Sequence, residues 1–126
     1  MITAHGTSTV TVKENLITAT IEGSFNLEGI VAYHNKIKPI IDSLQGREFK
    51  LLVNFLGAEG ATPEALDEAN RFNAWLNNKN LVAKALIINS PVLLEIFLSR
   101  APNQHSQNIM SFSTLDEAHV WLKSIS

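Results

Sequence analysis

Four histidines, two pairs of adjacent carboxylates, one glycine-rich stretch and one hydroxyl ahead of a helix are the groups of this 126-residue chain that could do chemistry. His5, His34, His105 and His119 would suit metal ligation or proton transfer. No two of them stand three to five residues apart, the spacing that lets a helix or tight loop bring two imidazoles to one ion. His5 falls in a tail, His34 on a helix and His105 in a polar loop, so each reads as solvated or capping. Asp67/Glu68 and Asp116/Glu117 are sequence neighbours on helices, where successive side chains point about 100° apart. Both pairs sit near helix N-termini, where negative charge relaxes the macrodipole. "GAEGA" (57–61) resembles a phosphate loop only in its glycines, because no Lys-Ser/Thr follows. There is no Gly-x-Ser-x-Gly elbow and no cysteine. These residues predict no catalytic site, no metal site and no cofactor, and the chain reads as a non-enzyme.

What stands out instead is apolar. In "SPVLLEIFLSRAP" (90–102) a Ser cap and a Pro at the first helical position open a helix. Six of the seven residues from Val92 to Leu98 are large and apolar. On a wheel of about 100° per residue the apolar arc covers roughly 240°, broken only by Arg100, whereas packing on a sheet needs little more than about 100°. Val92, Ile96, Leu93 and Phe97 can serve a core, which leaves Leu94 and Leu98 spare. Three readings compete: the helix is buried all round, it is a protein interface, or it lines a greasy ligand or membrane surface. Three such side chains contribute at most about 5–9 kcal/mol on transfer from water, comparable with one lipid anchor, so membrane contact would be reversible.

The elements that must position this helix follow from periodicity. "VTVKENLITATIEG" (10–23) alternates apolar and small polar residues about Glu14-Asn15, as an antiparallel hairpin does. Leu27, Ile30, Val31, Ile37, Ile40, Ile41 and Leu44 form one helical face with Asn26 as cap, and the period runs through Pro39. "FKLLVNF" (49–55) is a strand covered on both faces. "LGAEGA" is then a loop, and Thr62 and Pro63 open a second helix with Ala65, Leu66, Ala69, Phe72 and Leu76 inward and Trp75 at the edge of that stripe. "VAKALIIN" (82–89) is a second buried strand, "PNQHSQN" a polar loop and "IMSF" a short strand. A capping box, Thr114 with Glu117, starts a last helix carrying Leu115, Ala118, Trp121, Leu122 and Ile125. The order ββαβαβαβα predicts one α/β domain over 1–126 with a mixed, mostly parallel sheet and about four helices.

Ten basic and twelve acidic residues leave a net charge of -2, which argues against a nucleic-acid partner. Charged residues are 17%, below the average of about 25%, a balance typical of surfaces that associate. No apolar run approaches the ~18 residues of a spanning helix, and "MITAHGTST" lacks the plan of a signal peptide. The chain reads as cytoplasmic, with peripheral membrane contact open.

The hairpin, "FKLLVNF", "ATPEAL", "AKALIIN" and above all the ending "MSFSTLDEAHVWL", with Phe112, Glu117-Ala118 and Trp121-Leu122, together resemble the SpoIIAA-like family. This is the STAS-related group named after the sporulation anti-anti-sigma factor. The resemblance implies a non-enzymatic binding domain with a STAS-like sheet flanked by helices. STAS antagonists switch partners through a phosphorylated Ser at the start of the helix after the central strand. The matching region, 57–63, offers only the hydroxyl of Thr62, which reads as a cap, so no phospho-switch is expected. The group is also similar in fold to CRAL-TRIO domains, which hold a hydrophobic ligand between sheet and mobile helices. The leading expectation is therefore a binding domain for a fatty acid or lipid, with reversible membrane contact. Its site would draw on Leu66, Phe72, Trp75 and Leu76, and on Leu93, Leu94, Phe97 and Leu98, with Arg100 for a head group and Gly57 and Gly60 as a hinge. The alternative is a STAS-type protein-interaction module using the same helix toward a protein partner or a second copy.

Overall fold

The structure, a computed structural model, describes residues 2–125. The chain runs β1 (Thr7–Lys13), β2 (Leu16–Phe25), α1 (Leu27–Ser43), β3 (Phe49–Ala61), α2 (Pro63–Leu76), β4 (Leu81–Ile87), α3 (Pro91–Arg100), a 3-10 helix (Pro102–Ser106), β5 (Ile109–Phe112) and α4 (Leu115–Ser124). The five strands form one sheet in sequence order. β1 pairs antiparallel with β2, and all later neighbours pair parallel. The element order and the mixed sheet are those expected from the sequence.

Local chemistry sets the helix ends. The side chains of Asn26, Thr62, Ser90 and Thr114 accept from the backbone N–H groups of Gly29, Ala65, Leu93 and Glu117. Thr114 also donates its hydroxyl to the Glu117 carboxylate at 2.9 Å, so the expected capping-box pair meets through the two side chains rather than through the Thr114 backbone N–H. Pro39 lies inside α1, which runs through it.

Alternation along the strands divides the core in two. Ile17, Ile21, Leu51, Val53 and Leu86 face α1 and α2, where they meet Tyr33, Ile37, Phe72 and Leu76. Leu52, Ala83, Ala85 and Ile87 face α4 and meet Ala118 and Leu122. Lys50, on this second face, donates to the carbonyls of Leu122 at 2.6 Å and Ile125 at 2.7 Å, which tethers the end of α4 to β3. Two charge-assisted bonds to carbonyls at the end of α4, of which that of Leu122 also accepts from the Ile125 N–H, predict a loss of about 2 kcal/mol for Lys50→Met, read by urea unfolding.

β3 departs from expectation. It does not end at Phe55 but runs on to Ala61, because the end of β2 stays paired with it: Glu22 opposes Gly57 and Ser24 opposes Gly60. Two register shifts between Thr20 and Ser24 absorb the mismatch. Gly57 and Gly60 are therefore ladder residues rather than a loop hinge. A Cβ at 57 would press on the Glu22 side chain, which accounts for glycine there.

Candidate functional site

The extended end of β3, the start of α2 and the short α3 leave a gap that their side chains do not fill. An apolar cavity of about 90 Å³ lies there. Its sheet side is Ile21, Leu51, Val53, Phe55, Lys84 and Leu86. Its helical side is Ile30, Tyr33 and His34 of α1, with Ala65, Leu66, Ala69, Phe72 and Asn73 of α2. Phe97, Ala101 and Gln104 close one end. Small side chains at Ala58, Ala61, Ala65, Ala69 and Ala101 keep the space open. It is several times the ~10–15 Å³ that admits one water.

One cation stands in this wall. Lys84 is 5% exposed, and its Nζ donates to Asn73 Oδ1 at 2.8 Å, Gln104 Oε1 at 3.1 Å and Gln107 Oε1 at 3.3 Å. The amide groups cannot turn around. Asn73 donates its NH₂ to the Ala69 carbonyl and Gln104 donates its NH₂ to the Phe97 carbonyl, so both oxygens must face the lysine. Three acceptors match the three protons of an ammonium. Burial still pushes the Lys84 amine down to about 7, because removing the charge from water costs more than neutral dipoles return.

His34 is the second polar group of the wall, and it corrects the sequence reading. It is 3% exposed, not solvated, and stacks on Phe72 with ring centroids 4.1 Å apart. Its Nδ1 has no hydrogen-bond partner among the described residues. Glu68 Oε1 lies 3.8 Å from that nitrogen, but the same carboxylate pairs with Arg71 at 2.8 Å. Burial first, then the charges of Lys38 and Lys84, hold the imidazole at about 3, well below its usual range. It is a neutral group at physiological pH.

Of the residues expected to line a site, Leu66, Phe72 and Phe97 do so. Leu76 is a fully buried core residue instead, and Trp75 packs outside on Phe72 under Lys38 and Lys79. Arg100 lies 3.5 Å from Asp67 in an exposed ion pair between α3 and α2. α3 itself is turned opposite to the expected way. Leu94 and Leu98 pack against the core, Leu93 and Phe97 are half-buried, and Phe97 leans on Phe55 at 4.9 Å. Val92 and Ile96 are the spare pair, at 68% and 38% exposure, and no residue of the helix is fully buried. Thr62 is exposed and holds the start of α2 as a cap. His105 approaches the Leu98 carbonyl at 2.7 Å, near the end of α3. The sequence reading missed Lys84, Asn73, Gln104 and His34. Only Lys84 was signalled, as a lone charge inside a strand otherwise suited to burial on both faces.

Among the described residues no cluster of three metal-ligating side chains occurs, and no helix is long and apolar enough to cross a membrane. No protein-family model matches the chain, and no curated protein matches it. Solved structures do. An uncharacterised protein of the DUF3478 family with a SpoIIAA-like fold, from Shewanella loihica PV-4, superposes with a TM-score of 0.74 at 13% identity, over 97% of this chain and 98% of that one. An anti-sigma factor antagonist from Mycobacterium paratuberculosis gives 0.66 at 12% identity, over 94% and 95%. The anti-sigma factor antagonist SpoIIAA in its unphosphorylated form gives 0.63 at 16% identity, over 94% and 100%. At such identities the likeness is one of architecture, and it is nearly end to end: this chain has the SpoIIAA-like fold.

Proposed function

We propose that the chain is a non-enzymatic protein-interaction module of the anti-sigma-antagonist kind, with α3 as its docking element. The observation that carries this reading is the outward edge of α3. Val92 and Ile96, one helical turn apart, stand exposed on a helix that buries none of its residues completely. Two solved anti-sigma factor antagonists with the same fold support the class of function. Because Val92 and Ile96 are already partly covered, at 68% and 38% exposure, they contribute roughly 2–3 kcal/mol on burial, which suits a partner that comes and goes. Thr62 is exposed and caps α2, and this reading places the partner surface on α3 without calling on phosphorylation at that position. Membrane contact is not part of this reading, because Leu94 and Leu98 are half-buried against the core.

A photo-crosslinking residue at Ile96, with Thr11 of β1 as the control position, tests the docking element in host cells. A discrete protein adduct from position 96 and none from 11 is the expected result. The double variant Val92→Ser/Ile96→Ser should lose the same partner in a pull-down, while its Tm stays within about 2 °C of wild type because both side chains are exposed. Equal adducts from both positions would end the assignment of α3.

A second reading has its own support in the apolar cavity between the sheet and α2. There the chain binds a hydrophobic small molecule, with the α2 and α3 side chains Leu66, Phe72 and Phe97 as part of the wall.

A further inference from the structure

We infer that the cavity takes a medium-chain monocarboxylic acid, with its carboxylate on Lys84 and its alkyl chain against the apolar wall. This inference rests on the second, hydrophobic-ligand reading and adds the polarity of the ligand to it. Lys84 is buried, lines the cavity, and has no carboxylate within ion-pair distance among the described residues. Its compensation comes from three neutral amide oxygens. A buried cation held only by dipoles retains a desolvation cost that an anion in direct contact offsets far better. The cavity brings largely apolar space to that cation, so an anion placed there meets the one charge the wall presents.

Gln107, which stands outside the cavity wall, makes the bond that the ammonium gives up most easily. Gln107 Oε1 is the longest of the three contacts, at 3.3 Å, and Gln107 is only half-buried. Its NH₂ is held separately by Asn73 Oδ1 at 3.1 Å and Asn77 Oδ1 at 3.0 Å. When the Lys84 ammonium turns one N–H from Gln107 to a carboxylate oxygen, the amide keeps its other bonds and its freed oxygen lies near solvent. Asn73 and Gln104 hold the lysine in place meanwhile. Past the head group the wall is Ile21, Val53, Leu86, Leu66 and Phe72, with no second charge to meet a diacid. Single negative charge and a plain hydrocarbon body are what these surfaces recognise.

The test compares octanoate with 1-octanol on the wild-type chain, below micellar concentrations, by titrating the methyl NMR signals of Val53 and Leu86 and by calorimetry. Octanoate should bind at least about tenfold more tightly than the alcohol, the difference expected when a neutral contact becomes charge-assisted. Lys84→Met should reduce octanoate to the level of the alcohol and leave the alcohol unchanged. Equal binding of acid and alcohol to wild type would overturn the carboxylate assignment while leaving the hydrophobic-ligand reading in place. No shift of either methyl with either ligand would overturn both. The wild-type comparison decides the matter even where Lys84→Met does not fold.

Discussion

Taking the protein from pH 6.5 down to pH 3 should remove roughly 3–5 kcal/mol of stability through one residue, His34. Its folded pKa is about 3 against 6.5 for the unfolded chain. Between those values the unfolded chain holds a proton on the imidazole and the folded chain does not, so stability rises with pH across the window and falls on acidification. The contribution is complete at pH 7 and is lost progressively toward pH 3. The groups facing the ring explain why it cannot simply charge in place. Lys38 from its own helix and Lys84 from β4 oppose a positive imidazolium. Glu68 of α2 would favour one, but its charge is shared with Arg71. Tyr33 and Phe72 supply low-dielectric ring surface on either side. His34→Phe keeps the stack on Phe72 and removes the unpartnered nitrogen, so at pH 7 it should match wild type or exceed it by about 1 kcal/mol. Urea unfolding at pH 7, 5 and 4 should show the two proteins diverging, with the variant losing much less. Parallel losses in both would mean that carboxylates elsewhere, not His34, set the acid limit.

The same residue shows where sequence reasoning stops. Caps at Asn26, Thr62, Ser90 and Thr114 are short-range signals, and each fell where the residue types placed it. The succession of strands and helices followed from periodicity, whereas the order of strands in the sheet and the division of its two faces did not, because β3 and β4 read as near-continuous apolar runs. His34 could not be placed that way, because the apolar stripe of α1 is wide and the helix touches both α2 and the sheet. Which edge residue is covered depends on α2, a non-local partner. β3 ran past its apolar segment for a related reason: "LGAEGA" has the composition of a loop, and only pairing with the end of β2 makes it a strand. In α3 the arc of apolar residues was too broad to point anywhere. It left full burial and an exposed edge both open, and tertiary packing exposed Val92 and Ile96 rather than Leu94 and Leu98. The polar side of the cavity was least legible, since Asn73, Gln104 and Gln107 are residues whose composition suggests surface, and they converge on Lys84 across three elements.

That convergence carries the alkaline counterpart of the His34 effect. Raising the pH from 7 to 9.5 should stabilise the wild-type protein by up to about 3 kcal/mol, and Lys84→Met should show no such gain. The Lys84 amine titrates at about 7 when folded and at 10.5 when unfolded. In between, the unfolded chain binds the extra proton, so stability rises with pH at about 1.4 kcal/mol per unit until the unfolded amine also begins to lose its proton. Below pH 7 both states are protonated and the full cost of the buried charge is present. Tyr33 limits the window from above. Burial raises its hydroxyl beyond the usual range, so past pH 10 the unfolded chain alone ionises and stability declines again. Two opposing terms set the variant at pH 7. Met removes a buried charge, yet it leaves the oxygens of Gln104 and Gln107 without their donor, and Asn73 Oδ1 with only the Gln107 NH₂. Its pH slope is therefore the informative quantity rather than its absolute stability. A bound carboxylate would act on the same slope, holding the ammonium charged to higher pH and flattening the rise between 7 and 9.5. Unfolding curves measured with and without octanoate thus read the charge state of Lys84 directly. A slope identical in wild type and Lys84→Met would show that this lysine keeps its proton in the folded chain across the whole range, which would overturn the assignment.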